Sequence, residues 1–241
     1  MVENAVPENK LNEFVRRARE AAGPNLEGLI LYGSAVAGDF HPGYSNLNLF
    51  CILRDTSLAA LQALAPLAKW WSGEKQPPPL FMTRNELQRS VDVFPIEIID
   101  MQQHHRVVIG DDVLAGLQIS EQFHRTQVEY ELREKLILLR QHLALSGRNE
   151  KKLWDLLLRS VPSIITLFRH AHIVLGNAPL PKRDAVQELS KQLGFDPFVI
   201  NQALDIREKR SDTRKLDVND MLARYLAAVE RVIAAVDSIG G

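Results

Sequence analysis

Residues 26–32 (LEGLILY) form an apolar run that stops at Gly33-Ser34, and a second run, residues 46–53 (NLNLFCIL), starts after a short spacer. Each run is too short for a helix and is bounded by turn-forming residues, so each reads as a buried strand. Successive side chains on a strand point to opposite faces. The alternation in NLNL therefore puts Asn46 and Asn48 on one face and Leu47 and Leu49 on the other. A chain committed to this strand–turn–strand unit needs other elements to cover the sheet.

Those elements can be read on either side of it. A helix is expected over residues 8–22, closed by Gly23-Pro24, and another over 56–71, where Leu58, Leu61, Leu64 and Leu67 form one stripe. Leu80-Phe81-Met82 gives a third strand after Pro77-Pro78-Pro79, and Thr83 with Glu86 has the spacing of a capping box. Residues 96–101 (IEIIDM) read as a fourth strand. Beyond Gly116 no strand-like run recurs, and Leu132, Leu136, Leu139 and Leu143 follow helical spacing. A later helix is expected to kink or restart at Pro162, which has no amide hydrogen to donate. The last helix is expected over residues 218–239. The chain reads as an α/β mixed-sheet domain over residues 1–117 followed by an all-α helical bundle over 118–241.

Composition narrows the functional classes. The net charge is -1, which gives no basic signature and argues against nucleic acid as a partner. The single cysteine, Cys51, can build neither a disulfide framework nor a thiolate zinc site, and inside its apolar run it reads as core. No basic-then-apolar leader opens the sequence and no apolar run is long enough to cross a bilayer, so a cytoplasmic protein with no membrane partner is expected. His104-His105 and the His170/His172 pair point apart within each pair, and no zinc signature is present.

The order strand, Gly33-Ser34, spacer, then a strand opening Ser45-Asn46-Leu47-Asn48-Leu49 resembles the nucleotidyltransferase fold of the DNA polymerase beta superfamily. The helical second half is similar in architecture to that of bacterial antibiotic nucleotidyltransferases. In that family the second strand carries Asp-x-Asp and a later strand supplies a third carboxylate; together they hold two magnesium ions on a nucleoside triphosphate. The resemblance implies that Gly33, Ser34 and Ser45 lie against phosphate and that Asn46 and Asn48 stand where the paired acids would be. It places Glu97 at the third carboxylate position, with Asp100 as a weaker metal candidate, Arg106 as a candidate phosphate contact or equally a surface salt bridge, and the ligand in a cleft between the two domains.

The chemistry of these residue types is direct. Glycine lets the backbone turn sharply and approach a phosphate. A serine hydroxyl can donate to a phosphate oxygen. Magnesium takes hard, preferably charged oxygen ligands, and an asparagine carbonyl is neutral. A site built for three negative charges would here carry one. The leading expectation is a nucleotidyltransferase-like protein with impaired catalysis that binds a nucleotide or another phosphate ligand, as a regulatory module. One alternative is an active magnesium-dependent transferase acting on a small hydroxylated molecule or a protein, drawing charge from Glu97, Asp100 or Asp39. Another is an antitoxin-like or structural module whose helical half binds a protein partner or a second copy of itself.

Overall fold

The computed structural model describes residues 7–37 and 46–240. The chain divides into two compact units, Met1–Ser120 and Glu121–Gly241. In the first, α1 (Glu8–Ala22) leads through a 3-10 turn into β1 (Leu26–Tyr32). Then come β2 (Asn48–Leu53), α2 (Leu58–Ala63), α3 (Ala65–Gly73), β3 (Leu80–Thr83), α4 (Arg84–Arg89), α5 (Pro95–Gln103) and β4 (His105–Ile109). The strands form one mixed sheet in the order β3-β2-β1-β4, with β1 antiparallel to both neighbours and β2 parallel to β3. β1 is central because it is apolar on both faces, and Leu29, Ile30 and Leu31 are fully buried.

The sheet separates two cores. On one face Leu29, Leu31, Leu49, Cys51 and Leu53 pack against Leu11 and Phe14 of α1 and Leu67 and Trp71 of α3. The Phe14 and Trp71 rings meet edge to face, 4.8 Å between centroids, a geometry worth about 1 kcal/mol beyond burial. Burial pushes the Cys51 thiol up to about 12, in keeping with a packing role. On the other face Ile30, Phe50 and Ile52 pack against Leu87 of α4, Ile98 and Met101 of α5, and Leu114.

Two expectations for this unit need correction. Residues 56–71 are two helices, because Pro66 falls in the first turn of α3 and its missing amide hydrogen belongs at a helix start. Residues 96–101 are not a strand: they lie in α5, where Pro95 occupies the first turn and Pro95, Ile96, Ile98 and Met101 are buried. The fourth strand is β4, carrying Val107, Val108 and Ile109. The capping box is present: the Thr83 hydroxyl accepts from the Glu86 amide at 3.1 Å, and Glu86 accepts from the Thr83 amide at 2.7 Å.

The second unit consists of α6 (Glu121–Ser146), α7 (Glu150–Val174), α8 (Lys182–Leu193), α9 (Phe198–Arg207) and α10 (Val218–Asp237), with no strand among its described residues. α7 runs unbroken through Pro162, contrary to the expected restart. Proline deprives the carbonyl four residues earlier, that of Leu158, of its helical donor. Arg207 supplies a substitute, donating from Nη1 to the Leu158 oxygen at 3.2 Å. The unit also contains a buried pair not foreseen from sequence, His124 Nε2 and His170 Nδ1, 2.9 Å apart.

Candidate functional site

β1 ends at Tyr32, and its register fixes the surroundings. Tyr32 pairs with Asn48 on β2 and with His105 on β4, so the three side chains form a row on one sheet face. Gly33 follows with φ +82, a conformation open to glycine and strained for other residues. Its amide donates to the His104 carbonyl at 2.9 Å, tying the end of β1 to the start of β4. Gly33, Ser34 and Ala35 make one 3-10 turn, closed by the Val36 amide on the Gly33 carbonyl at 2.9 Å.

Asn48 opens β2 and is half-buried, whereas Asn46 is exposed. Leu47 is buried in the core beneath α1, and its amide donates to Gln76 Oε1 at 2.8 Å. The alternation thus extends back to Leu47, just before β2, and Asn48 faces the α5 side of the sheet. The Asn48 amide occupies space that a side chain on residue 33 would need: a Cβ there would lie 2.9 Å from Asn48 Nδ2. Gly33, Ser34, Asn48 and Tyr32 are therefore gathered at one end of β1 and β2. Ser45 and Asp39 lie outside the described residues.

Glu97 sits in the first turn of α5 rather than on a strand, and it is exposed. It lines a cavity of about 300 Å³ together with Tyr32, Phe50, Leu80, Met82 and Ile98, on the same sheet face as Asn48. Asp100 lies three residues on, and helical geometry makes the two acids neighbours, where a strand would have separated them. Arg106 is on β4 itself and pairs with Leu31, on the α1 side of the sheet. Both its terminal nitrogens donate to Glu8 of α1, at 2.8 and 3.1 Å. Arg106 is thus directed away from the face that carries Asn48.

His105 and Asp112 are the residues that sequence reading missed. His105 Nε2 lies 3.0 Å from Asp112 Oδ2, and Asp112 also accepts from the amides of Leu114 and Ala115. Burial works against ionisation of Asp112, but His105 and these amides outweigh it and hold the carboxyl below its usual range. The register of β4 places His105 beside Tyr32, and no sequence signal showed that register.

A magnesium pair requires several anionic oxygens converging on one point. The described residues do not meet that requirement. The strand positions offer two neutral amides, and no three His, Cys, Asp or Glu side chains gather into a metal-holding group among the described residues. The turn after β1 does suit an anion, since it presents backbone with no side chain at Gly33 and carries the Ser34 hydroxyl. Asparagine adds what aspartate lacks, an N–H donor for a phosphate oxygen.

No protein-family model matches the chain, and no curated protein matches it at the level of sequence. A solved structure does match: spectinomycin adenyltransferase AAD(9) from Enterococcus faecialis, determined with ATP and spectinomycin. The alignment covers 95% of this chain and 99% of that one, with a TM-score of 0.60 and 12% sequence identity. The fold is that of a nucleotidyltransferase, a mixed sheet domain followed by a helical domain.

Proposed function

We propose that this chain binds a nucleoside triphosphate, or a ligand with similar phosphates, without a catalytic magnesium pair, and acts as a regulatory module. Asn48 carries the argument. It occupies the α5 face of β2 beside the Gly33 turn, where the resemblance calls for one of two acids, and its side chain is neutral. The structural neighbour holds ATP, which supports a nucleotide as the ligand class. The Gly33-Ser34 turn receives the phosphates, and the amides of Asn46 and Asn48 donate to phosphate oxygens that a metal would otherwise screen. In vivo the bound nucleotide would carry its own magnesium in solution, held by phosphate rather than by protein carboxylates.

Calorimetric titration of ATP and GTP, with magnesium and then with EDTA, tests this reading. The unmodified chain is expected to bind with an affinity that chelation barely changes and to release no pyrophosphate. An Asn46→Asp/Asn48→Asp variant is expected to lose metal-free binding and to gain a magnesium-dependent mode. Tight magnesium-dependent binding by the unmodified chain, or steady pyrophosphate release, would instead establish the active-transferase alternative, with Glu97 and Asp100 of α5 as its source of charge.

A further inference from the structure

A histidine stands beside the Gly33 turn with one ring nitrogen unused by the fold. His105 opens β4 and pairs with Tyr32, whose neighbour on the other side is Asn48. His105 and Asn48 therefore flank the end of β1, about 10 Å apart at twice the spacing between strands. Gly33, the next residue, is tied to the same segment through its amide on the His104 carbonyl, at 2.9 Å. His105 Nε2 lies 3.0 Å from Asp112 Oδ2. Burial works against ionisation of Asp112, but His105 and the amides of Leu114 and Ala115 hold it as a carboxylate, which can only accept. Nε2 therefore carries the proton of this contact. The other ring nitrogen, Nδ1, has no hydrogen-bond partner among the described residues and is not buried.

We propose that His105 binds a phosphate of the ligand through Nδ1 as an imidazolium, bringing the positive charge that the missing metal would supply, and that Asp112 is its positioning residue. The inference rests on the nucleotide-binding reading above and names the control of that site, which is proton uptake. The pinned ring explains why. With Nε2–H committed to Asp112, a neutral His105 offers a lone pair at Nδ1, which repels a phosphate oxygen. Only the doubly protonated ring offers an N–H there, and with it a charge-assisted bond about twice as strong as a neutral one. The bound state thus holds one more proton than the free state, and binding weakens as pH rises. No other group around the ring takes over this role. Burial raises the pKa of Tyr32 on β1, which stays neutral. Glu97 and Asp100 of α5 are acids, which favour a charged imidazole and cannot themselves attract phosphate. Asp111 pairs with Arg84, and Arg106 pairs with Glu8 on the opposite sheet face.

Calorimetric titration of the full chain with inorganic tripolyphosphate and with ATP, without metal and between about pH 6 and 8, where histidine titrates, tests it. Affinity is expected to fall at least about tenfold across this range as His105 loses its proton. Ionisation of the ligand acts in the opposite sense, since it adds negative charge as pH rises. His105→Asn keeps an amide donor but removes the charge, and is expected to bind about tenfold more weakly at the acid end and to lose the pH dependence. Asp112→Asn still accepts from Leu114 and Ala115 but turns an N–H toward Nε2, so the ring must accept there and gives up its charge. It is expected to behave like His105→Asn, and it carries the test if that variant fails to fold. Binding that is flat or strengthens with pH in the unmodified chain would overturn the proposal and leave the nucleotide-binding reading standing. So would a pH dependence that survives in both variants, which would belong to another group such as His104. Failure of both ligands to bind at any pH would remove the proposal together with that reading.

Discussion

At the scale of single residues, the candidate site depends on one backbone conformation and one side chain lying against it. Gly33 combines φ +82 with a neighbour, Asn48 Nδ2, 2.9 Å from where a Cβ would stand. Gly23 shares the positive φ, at +52, but nothing lies within 4 Å of its Cβ position. Each change to alanine should cost at least about 1–2 kcal/mol for the positive-φ backbone. Gly33→Ala also displaces the Asn48 amide, and it should weaken ATP binding while Gly23→Ala does not. Urea titration and calorimetry on both variants check this. Unchanged binding by Gly33→Ala would mean that the turn after β1 has no part in ligand recognition. The face of Asn48, opposite that of Leu47 and Leu49, was legible in the sequence, because alternation fixes the face whatever the partner strand is. Arg106 could be read either as a phosphate contact or as a surface salt bridge for the converse reason: its face depends on the β1–β4 register, and the Glu8 partner that forms the salt bridge lies 98 residues away.

At the scale of elements, local signals succeeded where a segment's own residues determined its state. α1 and β1 occupy the expected spans, and the capping box at Thr83 formed as its spacing indicated. Residues 96–101 failed because a short apolar run interrupted by acids suits a half-buried helix as well as a strand. The signals that separate the two were Pro95, placed for a first helical turn, and the β-branched Val107-Val108-Ile109 before Gly110, which marked the true strand. Pro162 failed differently, because its compensation is tertiary and comes from α9. Arg207→Met should therefore destabilise the second unit by about 1 kcal/mol, the typical net worth of one hydrogen bond. Pro162→Ala restores a helical amide to Leu158, so the same Arg207→Met change made in that background should cost close to nothing. A double-mutant cycle in urea measures the coupling, which is expected at about 1 kcal/mol. Additive effects would show that water, rather than Arg207, satisfies the carbonyl.

At the scale of the whole molecule, each unit has its own core and the two report separately. Trp71 is fully buried between α3 and α1, and Trp70 lies beneath the Arg17 guanidinium, 4.4 Å from its carbon. The third tryptophan, Trp154, belongs to α7. A Trp154→Phe variant therefore confines tryptophan fluorescence to the first unit, whereas far-ultraviolet circular dichroism is dominated by the long helices of the second. Cores that form separately need not melt together, and a chain of two such units departs from two-state behaviour. The fluorescence and dichroism transitions in urea are thus expected to have different midpoints. Gly33, Ser34 and Asn48 all lie in the first unit, so a nucleotide bound there should move the fluorescence midpoint. At 100 times its dissociation constant it would add about 2.7 kcal/mol to the unit that holds it. The dichroism midpoint should stay nearly fixed. A nucleotide that moves both midpoints equally would show that the two units unfold as one and that the ligand stabilises the whole chain. A nucleotide that moves only the dichroism midpoint would place the ligand among the helices and remove Gly33 and Asn48 from the site.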